Sequence, residues 1–232
     1  MAESRRMNVT RRSFLLGGTA ALAGAGMALS GCNHKKGGEA GSGNGEILAA
    51  IAYSSNQISP VGSTSALVVA CNWHVFEGLY NIDFRTYKTY NGLAALSPTK
   101  VNDYTYDVIL RDDAKFSDGT DVEAKDVVAS FKANMAHESY SAFLSFIKDV
   151  TAKDKKTITF TLNFPFENLI EQRLAIVNIY PESLPADKLN SMPIGTGPWK
   201  YKSFDGNNGG MIEFEPNDNY NGKFPAEAKS MT

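Results

Sequence analysis

The chain has 232 residues, 43% hydrophobic and 21% charged, with a net charge of −2. Residues 1–31 hold four Arg and one Glu, so the remainder carries −5, a balance that argues against a surface built to grip nucleic-acid phosphates. Two cysteines in this length exclude a disulfide framework.

Thr10-Arg11-Arg12-Ser13-Phe14-Leu15 places paired arginines directly before an apolar run. That run, Phe14–Leu29, is 16 residues long and uncharged, shorter than the roughly 20 needed to span a membrane. It is also rich in Gly and Ala, as a cleaved export signal is. Arg11 and Arg12 match the twin-arginine address. Leu29-Ser30-Gly31-Cys32 then resembles a bacterial lipobox, cut before Cys32, whose thiol takes a lipid. Residues 1–31 are therefore expected to be a lipoprotein signal. Residues 32–46 are expected to be a lipidated cysteine and a flexible Gly/Ser/Asn tether. A plain cleaved signal with an incidental cysteine is the alternative.

The body begins with an apolar segment, Glu46–Tyr53, expected to be a strand. Thr64–Gly78 has helical spacing, with Leu67, Ala70, Cys71 and Val75 on one face and Gly78 as the stop. Cys71 is expected to be a small buried hydrophobe. Tyr104–Arg111 alternates through Tyr104, Tyr106, Val108 and Leu110, the period of a strand. Phe116-Ser117-Asp118-Gly119 is a turn. Thr120 to Glu123 then reads as a capping box opening a helix to about Met135, with Ala124, Val127, Val128, Phe131 and Met135 along one stripe. Thr157–Leu162 alternates Ile158, Phe160 and Leu162 with threonines, another strand. Phe166–Ala175 reads as a helix. Trp199–Phe204 and Met211–Glu215 flank a Gly/Asn-rich turn, a hairpin. Helices and strands mix without strict alternation, so the body, residues 47–232, is α/β in the mixed α+β sense.

Signs of catalysis do not converge. His34, His74 and His137 stand in no metal-ligand pattern, and no metal or other cofactor is expected. No phosphate-cradling loop or nucleophile elbow is present. Asp126 reads as a structural or solvated acid. Tyr80, Tyr87 and Tyr90 can line a ligand groove or simply pack between strands. No positive case for an enzyme exists.

Five segments in order carry a resemblance. They are Phe76-Glu77-Gly78-Leu79-Tyr80-Asn81-Ile82-Asp83; Tyr104–Arg111 with Ala114–Thr120; Ala124–Phe131; Pro193-Ile194-Gly195-Thr196-Gly197-Pro198-Trp199; and Glu215–Gly222. Together they resemble the family 5 extracytoplasmic solute-binding proteins of ABC importers, the oligopeptide and dipeptide receptors. One departure is Leu96-Ser97-Pro98-Thr99, where the family carries a tryptophan.

The resemblance implies a two-lobed, type II periplasmic-binding-protein fold that closes on a ligand. It implies peptide or another small solute as ligand, ABC permease subunits as partners, and a lipid anchor to the outer face of the cell membrane or a periplasmic location. From the acidic balance of the body, no nucleic-acid partner is expected. The resemblance also places Ser63, Thr64, Ser65, Ala66 and Tyr140 at the ligand. Gly195-Thr196-Gly197-Pro198 is expected to be structural first and cleft-lining second. Family members are far longer, so the chain is expected to be an amino-terminal part with the second lobe missing. The alternatives are an extracytoplasmic sensor or scaffold of the same fold, or capture of nickel, haem or oligosaccharide.

Overall fold

A computed structural model of the chain describes residues 45–52, 54–166, 169–206 and 210–232. The leader with Arg11 and Arg12, the lipobox with Cys32, and the tether up to residue 44 lie outside the described residues.

In chain order the elements are β1 (Glu46–Ile47), α1 (Ala66–Val75), β2 (Tyr80–Asp83), β3 (Lys88–Asn91), β4 (Thr99–Asn102) and β5 (Thr105–Ile109). There follow α2 (Ala124–Ala136), α3 (Glu138–Ser141), β6 (Ile147–Ala152), β7 (Thr157–Leu162), α4 (Ile170–Leu174) and α5 (Ala186–Ser191). The last are β8 (Trp199–Phe204), β9 (Ile212–Pro216) and β10 (Ser230–Met231). They form two four-stranded sheets, ordered β4-β5-β7-β6 and β1-β10-β9-β8, and a hairpin of β2 and β3.

The first sheet is antiparallel throughout. β7 turns Ile158, Phe160 and Leu162 inward, each at most 2% exposed, and its threonines outward. β5 buries Tyr106 and Val108, while Tyr104, expected on the same face, is largely exposed. α2 lies on the buried face, where Phe131 meets Phe160 edge to face with ring centroids 5.0 Å apart. Its apolar stripe falls as the spacing predicts: Ala124, Val127 and Phe131 are buried, and Val128 and Met135 pack against the same core.

The start of α2 differs from expectation. Its capping box joins Glu123 and Asp126 rather than Thr120 and Glu123, with the Glu123 N–H donating to Asp126 Oδ2 at 2.9 Å. Thr120 is taken by Asp118, whose Oδ1 accepts from its backbone N–H at 3.0 Å and its hydroxyl at 2.7 Å. An Asp two residues upstream out-competes the helix for that threonine. Asp126 is buried and also accepts from the Glu182 N–H at 2.9 Å, so it is a structural acid.

The second sheet packs on α1 around Ile58, Val75, Phe76, Trp199, Tyr201 and Phe214. α1 is shorter than predicted; of its expected face Cys71 and Val75 are buried and Leu67 is partly buried against the same cluster, while Val68 and Asn72 are buried although the pattern did not mark them. Asn72 takes a core seat because both ends of its amide are paired. Nδ2 donates to Ser59 O at 3.2 Å, and Oδ1 accepts from the Tyr201 hydroxyl at 3.2 Å. Cys71 is buried, its thiol pushed up to about 11 by burial, and it packs as a small apolar residue.

The predicted opening strand is also shorter. β1 pairs with β10, in parallel, over two residues only, and Leu48 beyond it is 84% exposed. Among the described residues no helix is long and apolar enough to cross a membrane.

Candidate ligand-binding cleft

α1 has two working faces. Leu67, Cys71 and Val75 pack with the second sheet, while Val69, Trp73 and Phe76, spaced i, i+4, i+7, line a cavity of about 520 Å³. The β2–β3 hairpin bends sharply at Asp83, whose Oδ1 accepts from the Arg85 N–H at 2.8 Å. This bend brings Phe84 onto Trp73, ring centroids 4.4 Å apart, although both side chains are more than half exposed. A second aromatic pair, Tyr90 and Phe224, meets edge to face at 5.5 Å on the same cavity wall. The Lys223 ammonium lies 5.3 Å from the Tyr90 ring centroid and 5.1 Å from that of Phe224.

Of the residues singled out in the sequence, Ser63 and Tyr140 lie on the cavity wall, joined by a hydrogen bond from the Tyr140 hydroxyl to the Ser63 carbonyl at 3.2 Å. Thr64, Ser65 and Ala66 do not line it. Ser65 is the residue before α1 and makes no side-chain cap, and Thr64 and Ala66 are exposed. Tyr80 is fully buried, its hydroxyl donating to Leu96 O at 2.9 Å, and Tyr87 stands in solvent, so Tyr90 alone of that trio reaches the cavity. Sequence reasoning missed Trp73, Phe84, Glu77 and Phe224. Trp73 was the most legible, since an aromatic four residues after Val69 on a predicted helix shares its stripe.

Beside the cavity four of the five resemblance segments converge. The segment 193–199 crosses the C-terminal end of α1, where helix carbonyls lack partners. Gly197 N–H fills one such place, donating to Val75 O at 2.8 Å. Thr196, 1% exposed, accepts from the Glu77 N–H through Oγ1 at 3.2 Å. A Cβ on Gly195 would overlap the Val75 carbonyl oxygen, so only glycine fits. Gly195–Pro198 is thus a structural crossing, with Pro198 on the cavity wall. Asn217 binds the crossing from the other side, Nδ2 donating to Gly197 O at 2.8 Å and N–H to Pro198 O at 2.9 Å. Asn219 reaches Ser117 O at 3.1 Å.

Glu77 and Arg111 complete this node. The Glu77 side chain, 6% exposed, lies 3.4 Å from the Arg111 guanidinium, which also donates to Gly92 O at 3.0 Å, to Asp113 at 3.0 Å and to Asn221. Burial pushes the Glu77 carboxyl up to about 7, and the neighbouring Arg111 charge only partly opposes this. Burial, with the Glu77 charge adding, also pushes the Tyr220 hydroxyl up to about 12. Among the described residues no group of three or more His, Cys, Asp or Glu is placed to hold a metal ion.

Comparison with known proteins gives these features a context. The sequence model for bacterial extracellular solute-binding proteins, family 5 Middle, matches residues 89–230. The chain belongs to this family. It is 29% identical over 167 residues to the glutathione-binding protein GsiB of Escherichia coli O1:K1, a match covering 67% of this chain and 31% of that protein. It is 30% identical over 104 residues to the nickel-binding protein NikA of Staphylococcus aureus, covering 44% of this chain and 21% of NikA. Among solved structures it superposes on peptide-bound OppA of Listeria monocytogenes with a TM-score of 0.73 at 22% identity, covering 82% of this chain and 42% of that one. The fold is therefore that of the type II periplasmic binding proteins. The chain spans less than half the length of each of these relatives.

Proposed function

We propose that this family 5 protein is the extracytoplasmic solute-binding component of an ABC importer, that it captures peptides, and that it hands them to membrane permease subunits without chemical change. The observation that carries the reading is the composition of the cavity wall. A volume of about 520 Å³ falls within the ~300–1,000 Å³ of small-ligand sites. Its lining combines aromatic faces (Trp73, Phe84, Tyr90) with amide and hydroxyl residues (Asn81, Asn178, Ser63). A peptide presents the same mixture, backbone amides between side chains. The relatives named for glutathione and found bound to peptide support this class. The relative named for nickel keeps a metal complex as the second reading, with His74 on the wall as its nearest support.

Both tryptophans of the chain, Trp73 and Trp199, line the cavity, so ligand entry should be visible in intrinsic fluorescence. Titration with glutathione and with the tripeptide Ala-Phe-Ala should give a saturable change, reduced in Trp73→Phe, where Trp199 alone remains to report it. A response to nickel–histidine and to neither peptide would overturn the peptide reading.

The leader reading is part of the same proposal: residues 1–31 address the chain for export, Cys32 carries the lipid, and residues 32–46 tether the body. Cys32→Ser should move the protein from the membrane fraction to the soluble extracytoplasmic fraction. Wild type that fractionates as soluble would refute the anchor.

A further inference from the structure

The loop that brings Ser63 to the cavity is shaped from behind by another part of the fold. The Gly62 N–H donates to Asn134 Oδ1 at 3.0 Å, and Asn134 is fully buried near the end of α2. The amide of Asn134 is itself oriented, its Nδ2 donating to Ser130 O at 2.9 Å. Gly62 has φ +63, and a Cβ there would fall inside the His137 ring that closes over it. One residue on, the Ser63 carbonyl accepts from the Tyr140 hydroxyl at 3.2 Å. At the start of the loop, the Val61 N–H donates to Ser59 Oγ at 3.2 Å, and Ser59 O accepts from Asn72.

Successive loop residues are therefore gripped by Asn134, His137 and Tyr140, which lie within seven residues of one another across the α2–α3 junction. We infer that these three are positioning residues for ligand binding: they hold Gly62 and Ser63 against the cavity in one conformation before a ligand arrives. The Tyr140 hydroxyl acts through the Ser63 carbonyl, while the residue's place on the cavity wall is kept by its ring. A loop ordered in advance loses less entropy on binding, so the grip appears as affinity. The inference rests on the reading of this cavity as the ligand site.

The test compares Tyr140→Phe, which keeps the ring, with Tyr140→Ala, in the full chain. Two quantities are read: amide hydrogen exchange at residues 62–66 without ligand, and the dissociation constants for Ala-Phe-Ala and glutathione. For Tyr140→Phe the loop amides should exchange faster, the melting temperature should stay near wild type, and binding should weaken about fivefold, the worth of one hydrogen bond. If Tyr140→Phe binds and exchanges like wild type while Tyr140→Ala binds weakly, the residue is an apolar contact and the inference fails. Faster exchange with unchanged affinity also overturns it. If wild type binds neither probe, the ligand reading itself fails and the positioning role falls with it.

Discussion

Replacing Arg111 with Met is expected to cost about 3–5 kcal/mol at pH 8, the penalty for leaving one partner of a buried ion pair behind. Glu77 would then have to hold its charge almost buried with its counter-charge gone, or take up a proton. Arg111 also joins Gly92, Asp113 and Asn221, so the segment around residue 221 loses its grip on the first sheet at the same time. The penalty should depend on pH in a definite direction. Glu77 titrates near 7 in the folded protein against an ordinary 4.5, so its contribution to stability is fully present below about 4.5 and is lost as pH rises through 7. Removing Arg111 takes away the influence that lowers this value, so the carboxyl rises further. Urea unfolding should therefore show a penalty smaller by about 1.4 kcal/mol at pH 5, where Glu77 is protonated with or without Arg111. Glu77→Gln should flatten the profile and, combined with Arg111→Met, recover part of the loss. An equal penalty at pH 5 and pH 8 would mean that packing of the arginine, not buried charge, sets its worth.

Gly195→Ala is expected to destabilise by at least about 3 kcal/mol, at the upper end for overpacking. The atom in the way is a backbone carbonyl oxygen at the end of α1, which no rotamer change can move aside. The crossing would have to retract, stretching the Gly197–Val75 hydrogen bond and the contacts of Thr196 and Asn217 with it. The same retraction shifts Pro198 and Trp199 on the cavity wall, so ligand affinity should fall together with the melting temperature. A variant that melts like wild type would show that the segment has room the geometry denies it.

The parts of the fold that were legible were those where one strand or helix face does all the burying. β7 and α2 follow their periods without interruption, and their limits match the pattern closely. β6 was missed for a physical reason. Its register shifts between Ile147 and Asp149, so its buried residues, Ile147 and Val150, stand three apart and no alternation shows. The face of α1 was legible at Leu67, Cys71 and Val75 but not at Asn72, because a paired asparagine occupies the core there and sequence patterns count only apolar residues. At the cleft, the sequence pointed to Ser63 and Tyr140 through resemblance. The aromatic wall was hidden because Trp73, the hairpin residues Phe84 and Tyr90, and Phe224 come from three separate stretches, and only the hairpin bend and the tertiary packing bring them together. The convergence of the resemblance segments has a simple cause. Glu77, Arg111, Gly197 and Asn217 are far apart in the chain and bonded to one node.

The pairing of Glu46 with Ser230 has a bearing on how the chain folds. The first sheet draws its strands from residues 99–162 and can assemble from neighbours in sequence. The second cannot close until residues at opposite extremes of the described chain meet, and closing so large a loop carries the heaviest entropy of any contact in the fold. β1 and β10 therefore have the character of a clasp, fastened last. Until it is fastened, β9 has one unpaired edge, available to any other strand that arrives first.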